Sequence, residues 1–239
     1  MRSVFIHHHL GMGDHIVCNG LVRSILNDGK YYTDVYVFAK QINSDRVSRM
    51  FDDDPRIHVL IIPSIQNEVV FVNNIIAQHA ICDFIRCGFG FIDNLCGMNL
   101  KMNYDEAMYA CCGIPFQNRW KKFNLRRDTN RETDVLNELN PNNEEFIFVH
   151  DDPSRGFSFE PSNVGTRKVI RNDPTIGLFD MIGVLKNAKE IHCMESSFRA
   201  LIDHIEDIQC PLYFYKKVRE DTNGNTLVSS VRKNWITIS

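Results

Sequence analysis

Long apolar runs are scarce in this sequence. None exceeds about six residues, against the roughly 20 that a membrane-spanning helix needs, so no span is expected. The first residues lack an apolar core followed by a small-residue cleavage site, which argues against a signal peptide and for a cytoplasmic location. Cys-x-x-Cys is missing, although there are eight cysteines: Cys18, Cys82, Cys87, Cys96, Cys111, Cys112, Cys193 and Cys210. Several lie in apolar segments, and without that spacing they read as free, buried thiols of a reducing compartment. Blocks of lysine and arginine are absent, and the formal net charge is only −3. Nothing electrostatic points to nucleic acid as a partner, and a charged ligand would need a local site. Internal repeats and low-complexity tracts are not found.

What is present is an ordinary globular composition: 239 residues, 44% hydrophobic, enough for one large domain or two small ones. Short apolar runs alternate with helical patterns. "SVFIHHH" reads as a strand, followed by a glycine turn and a helix from about Asp14 to Leu26. "DVYVFAK" is a second strand, "SDRVSRMF" a short helix, and "RIHVLIIP" a strand closed by Pro63. "NEVVFVNNIIAQHA" is read as helix from its length and asparagines, "AICDFIRCGF" as strand and loop, and "NYDEAMYACCGI" as a helix stopped by Gly113 and Pro115. A polar segment around residues 120–143 interrupts the alternation; it holds the amphipathic piece "ETDVLNEL" and the turn "NPNN", and reads as a mobile linker. Beyond it come the strand "EFIFVH", the loop "DDPSRGFSFEPSNVG", the strand "RKVIR" and the helix "LFDMIGVLKNA". "KEIHCM", "SSFRALIDHI" and "CPLYFYKK" follow as strand, helix and strand. Strand–helix alternation implies crossover units on parallel sheets, here an α/β chain of two Rossmann-like halves facing a cleft. The boundaries are residues 1–125 and 126–239.

Three polar loops follow apolar strands. In "GMGDH", Gly11, Met12 and Gly13 let the backbone turn tightly and approach a ligand, while Asp14 and His15 could act on it. The plainer alternative is a turn in which Asp14 caps the helix. In "MESS", Glu195, Ser196 and Ser197 could hold phosphates or ribose hydroxyls beside free N–H groups, or Ser196-Ser197 could simply cap a helix. In "HDDPSRG", His150 and Asp151 lead to Arg155, which could clamp a diphosphate or belong to a solvated Asp-Pro turn.

"GMGDHIVCNGLVRSIL" resembles the N-terminal signature of GT-B glycosyltransferases related to ADP-heptose–lipopolysaccharide heptosyltransferases: Gly-x-Gly-Asp after the first strand, then an apolar helix with an arginine near its end, which Arg23 fits. "IHCMESSFRALID" is similar to their second signature, with Glu195 in place of Asp and Ser197 in place of Gly, and "GIPFQNRWKKFNLRRD" is similar to segments of glycosyltransferases of large DNA viruses and bacteria. The resemblance implies a compact GT-B enzyme, of hexosyl- or heptosyltransferase type. Residues 1–125 would then be the acceptor domain and residues 126–239 the nucleotide-sugar domain. It implies Asp14 as general base; His15 is the neighbouring alternative, since an imidazole with an ordinary pKa near 6.5 is a natural base at neutral pH. Substrates would be a nucleoside-diphosphate sugar and a glycan or glycoconjugate hydroxyl, with no cofactor.

A metal is not demanded by this reading. His7 and His9 would share one face of a strand and His8 the other, with no carboxylate or cysteine spaced to complete a set. Asp52–Asp54 contains the Asp-x-Asp that carries a divalent metal in GT-A glycosyltransferases, but before Pro55 it reads as a solvated turn. Cys111-Cys112 reads as packing. Three other readings stay open: a non-catalytic nucleotide- or sugar-binding module, a sugar-nucleotide epimerase of the same architecture, and a methyltransferase. Against the last, "DVYVFAK" ends without the acid such a cofactor site needs.

Overall fold

The computed structural model describes residues 2–28, 31–79, 81–88, 102–161, 164–219 and 228–238. The chain divides into two compact units, Met1–Arg126 and Arg127–Ser239. Each is built on its own sheet, and every strand pairing is parallel. Cys96 lies outside the described residues.

In the first unit the strands are β1 (Arg2–His7), β2 (Tyr32–Lys40), β3 (Ile57–Ile62) and β4 (Asp83–Arg86), in the order β3-β2-β1-β4. β1 is buried from Val4 to His7, as expected of an interior parallel strand covered on both faces. It stops at His7, so His8 and His9 lie beyond the strand and the expected alternation of the three histidines across it does not arise. The helices are α1 (Met12–Asp28), α2 (Ser44–Phe51), α3 (Glu68–Gln78), α4 (Tyr104–Cys111) and α5 (Asn118–Lys121). Asn67 caps α3 by accepting from the Val70 N–H at 3.2 Å.

α1 is buried all round from His15 to Leu26, not along one stripe. α4 and α5 cover the side turned away from the sheet. The Tyr109 hydroxyl donates to the Val17 carbonyl (2.8 Å), and Asn118 Nδ2 donates to Ser24 Oγ (2.9 Å). Gly20 is where α5 comes closest: a Cβ there would stand 2.2 Å from the Asn118 carbonyl oxygen. Only glycine fits that approach, so this residue of the first signature serves packing.

The second unit holds α6 (Thr129–Leu139), β5 (Phe146–His150), β6 (Lys168–Arg171), α7 (Ile182–Asn187), β7 (Ile191–Cys193), α8 (Ser197–Ile202), β8 (Leu212–Tyr215) and β9 (Trp235–Ile238). The strand order is β6-β5-β7-β8-β9. One expectation is corrected, and one element is added to the sequence reading. Much of the polar segment read as a mobile linker is α6, seated by Val135 and Glu132. Glu132 pairs with Arg127 and backs onto Gly183, where a Cβ would meet the Glu132 carbonyl oxygen at 2.6 Å. β9 was not foreseen: it is four residues on the sheet edge, and two of them are exposed.

Both sheets reverse their strand order. In the first, β2 and β3 lie to one side of β1 and β4 to the other; in the second, β6 lies to one side of β5 and β7 to the other. Open α/β sheets bind ligands outside the carboxyl ends of the strands at such reversals, because the crossovers there leave a crevice. Among the described residues, the loops after β1, β5 and β7 border them.

Candidate functional site

At the first reversal the chain leaves β1 at His7 and enters α1 at Met12. Gly11 is exposed, while Met12, Gly13 and Asp14 are half-buried. The Asp14 carboxylate folds back over Gly11: a Cβ on Gly11 would be 2.6 Å from Asp14 Oδ2. Asp14 therefore holds its charge at the amino end of a 17-residue helix, where the helix dipole favours an ionised carboxylate. The Leu10 carbonyl accepts from Asn43 Nδ2 (3.1 Å), which ties the loop to the segment after β2.

His15 is placed quite differently. It is 0% exposed, with its ring edge-on to that of His8 at 4.6 Å between centroids. Neither of its nitrogens has a hydrogen-bond partner among the described residues. Burial, with a smaller push from His8, holds its pKa well below the ordinary value, so the ring is neutral and dry. Burial likewise lowers His8 to about 4, against a partly opposing hydrogen bond from its Nδ1 to the His9 carbonyl. Unfolding frees both rings to bind protons at their ordinary pKa, so the unfolded chain binds more protons than the folded one below about pH 6.5. Stability should be unaffected by these groups above pH 6.5 and fall as pH drops towards 4, by at most about 1.4 kcal/mol per pH unit for each histidine. Urea midpoints between pH 7.5 and 5 measure this, and His15→Phe should flatten the slope.

Other charges of the first unit are committed to structure. His7 Nε2 lies 3.1 Å from Glu68 Oε1, and Glu68 also pairs with Lys40. Arg23 is buried. It forms a forked pair with Asp53 (2.7 and 3.0 Å) and donates to the Met50 and Asn124 carbonyls, binding α1 to the end of α2. Asp52 pairs with Arg126 and Asp54 with Arg56. The Asp52–Asp54 segment is a turn with Asp52 and Asp53 exposed, as read from the sequence, and three arginines pair with its carboxylates. Among the described residues, no group of three histidine, cysteine or acidic side chains is arranged to hold a metal ion.

At the second reversal the β5 and β7 loops touch: the Met194 N–H donates to the His150 carbonyl at 3.4 Å. His150 is buried with its ring 4.4 Å from that of Phe198. Asp151 is buried and paired with Arg171, which also reaches Glu160 at 2.8 Å. Burial pushes the Asp151 carboxyl up, opposed by the charge of Arg171. Arg171 closes β6 and was not singled out from sequence; its only signal was a cation at the end of "RKVIR". Arg155 sits on a turn closed by Gly156 in the left-handed region (φ 79°), and its Nε donates to Asp152 at 2.5 Å. It is 54% exposed, so its other donors can meet a ligand.

The β7–α8 loop favours the capping reading. Ser196 Oγ accepts from the Arg199 N–H at 3.4 Å, an N-cap. Glu195 is buried, held by Arg199 Nη1 (2.6 Å) and the Ser229 hydroxyl (3.1 Å). Ser197 opens α8 and is half-buried. The three loops do follow strand ends, and the side chains of Glu195, Ser196 and Asp151 are engaged within the protein.

No protein-family model and no curated protein sequence matches the chain. Solved structures do. The glycosyl transferase family 9 protein from Veillonella parvula superposes with a TM-score of 0.60 at 7% identity, covering 99% of this chain and 86% of that one. E. coli ADP-heptose LPS heptosyltransferase II gives 0.54 at 10% identity, covering 100% and 90%. At these identities the likeness shows the fold, which is the α/β fold the first signature implied. No described helix is long and apolar enough to cross a membrane.

Proposed function

We propose that this chain is a glycosyltransferase that moves a sugar from a nucleoside-diphosphate sugar to a hydroxyl of a glycan or glycoconjugate, with Asp14 as the base. One observation carries the reading: all three polar loops lie at the points where the two parallel sheets reverse their strand order. The fold shared with a glycosyltransferase and a heptosyltransferase supports it. In the reaction, Asp14 takes the proton of the acceptor hydroxyl as that oxygen bonds to the anomeric carbon. The bond from that carbon to the diphosphate oxygen breaks, and its electron pair leaves with the nucleoside diphosphate. Positive charge must meet that leaving group, and Arg155 on the β5 loop supplies it. His15 packs against His8 and takes no proton in this scheme. Because the Asp52–Asp54 carboxylates are held by arginines, the reaction proceeds without a divalent metal.

Arg155→Ala should weaken nucleoside-diphosphate binding by about 1.5–3 kcal/mol, the scale of a hydrogen bond to a charged group. Calorimetry measures this, and unchanged affinity would remove Arg155 from the donor site. A panel of UDP, GDP, ADP, CMP and S-adenosylmethionine tests the wider reading by thermal shift, since a ligand at a hundredfold excess over its Kd stabilises by about 2.7 kcal/mol. The matching donors are then screened in EDTA with mass detection of the product. A nucleotide that binds without any sugar transfer would make the chain a binding module. Transfer lost in EDTA and regained with manganese would return the metal to Asp52–Asp54.

A further inference from the structure

The second unit holds a pocket of about 540 Å³ on the β8–β9 side of its sheet, apart from the residues assigned above to donor binding. Three cations line it, Arg199, Lys216 and Lys233, and none of its described lining residues is acidic. The rest of the wall is largely apolar, with Phe214, Val231 and Trp235 among it. Arg199 is 3% exposed, and its guanidinium carbon lies 4.2 Å from the Phe214 ring centre and 5.4 Å from that of Trp235. Glu195 answers this charge at Nη1, while Nε is buried with no hydrogen-bond partner among the described residues. The indole N–H of Trp235 is likewise buried, with no hydrogen-bond partner among the described residues. Lys233 donates to the Ile208 carbonyl at 2.9 Å, with Asp203 and Glu206 the carboxylates that act on its charge, and Lys216 is exposed. Burial and then the neighbouring Arg232 lower the Lys233 pKa, opposed by the charges of Asp203 and Glu206.

Concentrated positive charge over an aromatic floor is the complement of one ligand class. We infer that this pocket binds a small organic phosphate, whose charged group is met by Lys216 and Lys233 and whose apolar body rests on Trp235 and Val231. The inference is independent of the glycosyltransferase reading, since it uses none of the residues assigned to Asp14 or Arg155 chemistry. Buried apolar walls with a few convergent charged groups are the general form of small-molecule sites.

Phenyl phosphate is a suitable probe, because it carries the charge and the flat body without a sugar or a diphosphate. The chain has two tryptophans, so its indole N–H resonances are two, and Trp120→Phe identifies that of Trp235. Phenyl phosphate should shift the Trp235 resonance saturably, and inorganic phosphate should do so at least tenfold more weakly. Lys216→Ala with Lys233→Ala should raise the Kd at least tenfold, and Arg155→Ala should leave it unchanged. Should the double variant fail to fold, Lys216→Glu alone tests the same point, as its side chain is exposed. No saturable shift, equal affinity in the lysine variants, or loss of binding in Arg155→Ala would each overturn the inference.

Discussion

Asp14→Asn is expected to lower the turnover number by about 10²–10⁴-fold with nucleotide affinity nearly unchanged. The substitution keeps the size of the side chain and its ability to cap α1, so it isolates the charge. Without a carboxylate the acceptor hydroxyl must lose its proton to water, and only the chemical step is slowed. His15 provides the internal control. It is fully buried and cannot reach an acceptor, so His15→Phe should keep near-wild-type turnover at a temperature where it is folded. Gly11→Ala gives a graded version, because its Cβ would push on Asp14 Oδ2 and turn the carboxylate away while leaving its charge. If Asp14→Asn turns over normally, the loop after β1 is a capped turn and the proposed mechanism fails.

How much of this could be read before the fold was known depends on what each signal encodes. Parallel strands buried on both faces are continuous apolar runs, so "SVFI", "EFIFVH" and "KEIHCM" were legible with their ends nearly placed. Strand ends in turn located the three loops. β9 was missed because it is only four residues long, although its Trp-Ile-Thr-Ile sequence is aromatic and β-branched. α6 looked like a linker because two inward-facing residues seat it, one of them a glutamate. Side-chain commitments were the least legible. Composition shows that Glu195, Asp151 and Arg23 are polar, but the partners that occupy them are up to 34 residues away or, for Asn124, 101. The same holds for His15: a helix buried on every side cannot be told from an amphipathic one when residues of other segments supply the cover.

Within that cover, one buried ion pair joins α4 to α5. Asp105 of α4 and Arg119 of α5 are both 0% exposed and joined by a salt bridge, with the guanidinium 5.2 Å from the Trp120 ring centre and 6.0 Å from that of Phe116. Asp105→Asn leaves the arginine charged in a dry site, and breaking a buried pair in this way costs about 3–5 kcal/mol. Against the total of roughly 5–15 kcal/mol typical of a native protein, that is a large fraction. The urea midpoint should fall accordingly with little change in m value, which separates lost stability from an altered unfolded state. Asp105→Leu combined with Arg119→Met should recover most of the loss, because removing both charges also removes the cost of burying them. The effect on catalysis should be indirect. α5 meets α1 at Gly20, more than a full turn beyond Asp14, so folded Asp105→Asn should bind nucleotide and turn over normally below its melting range. A loss below about 1 kcal/mol, or a double variant no better than the single one, would mean that the pair does not hold α4 and α5 together.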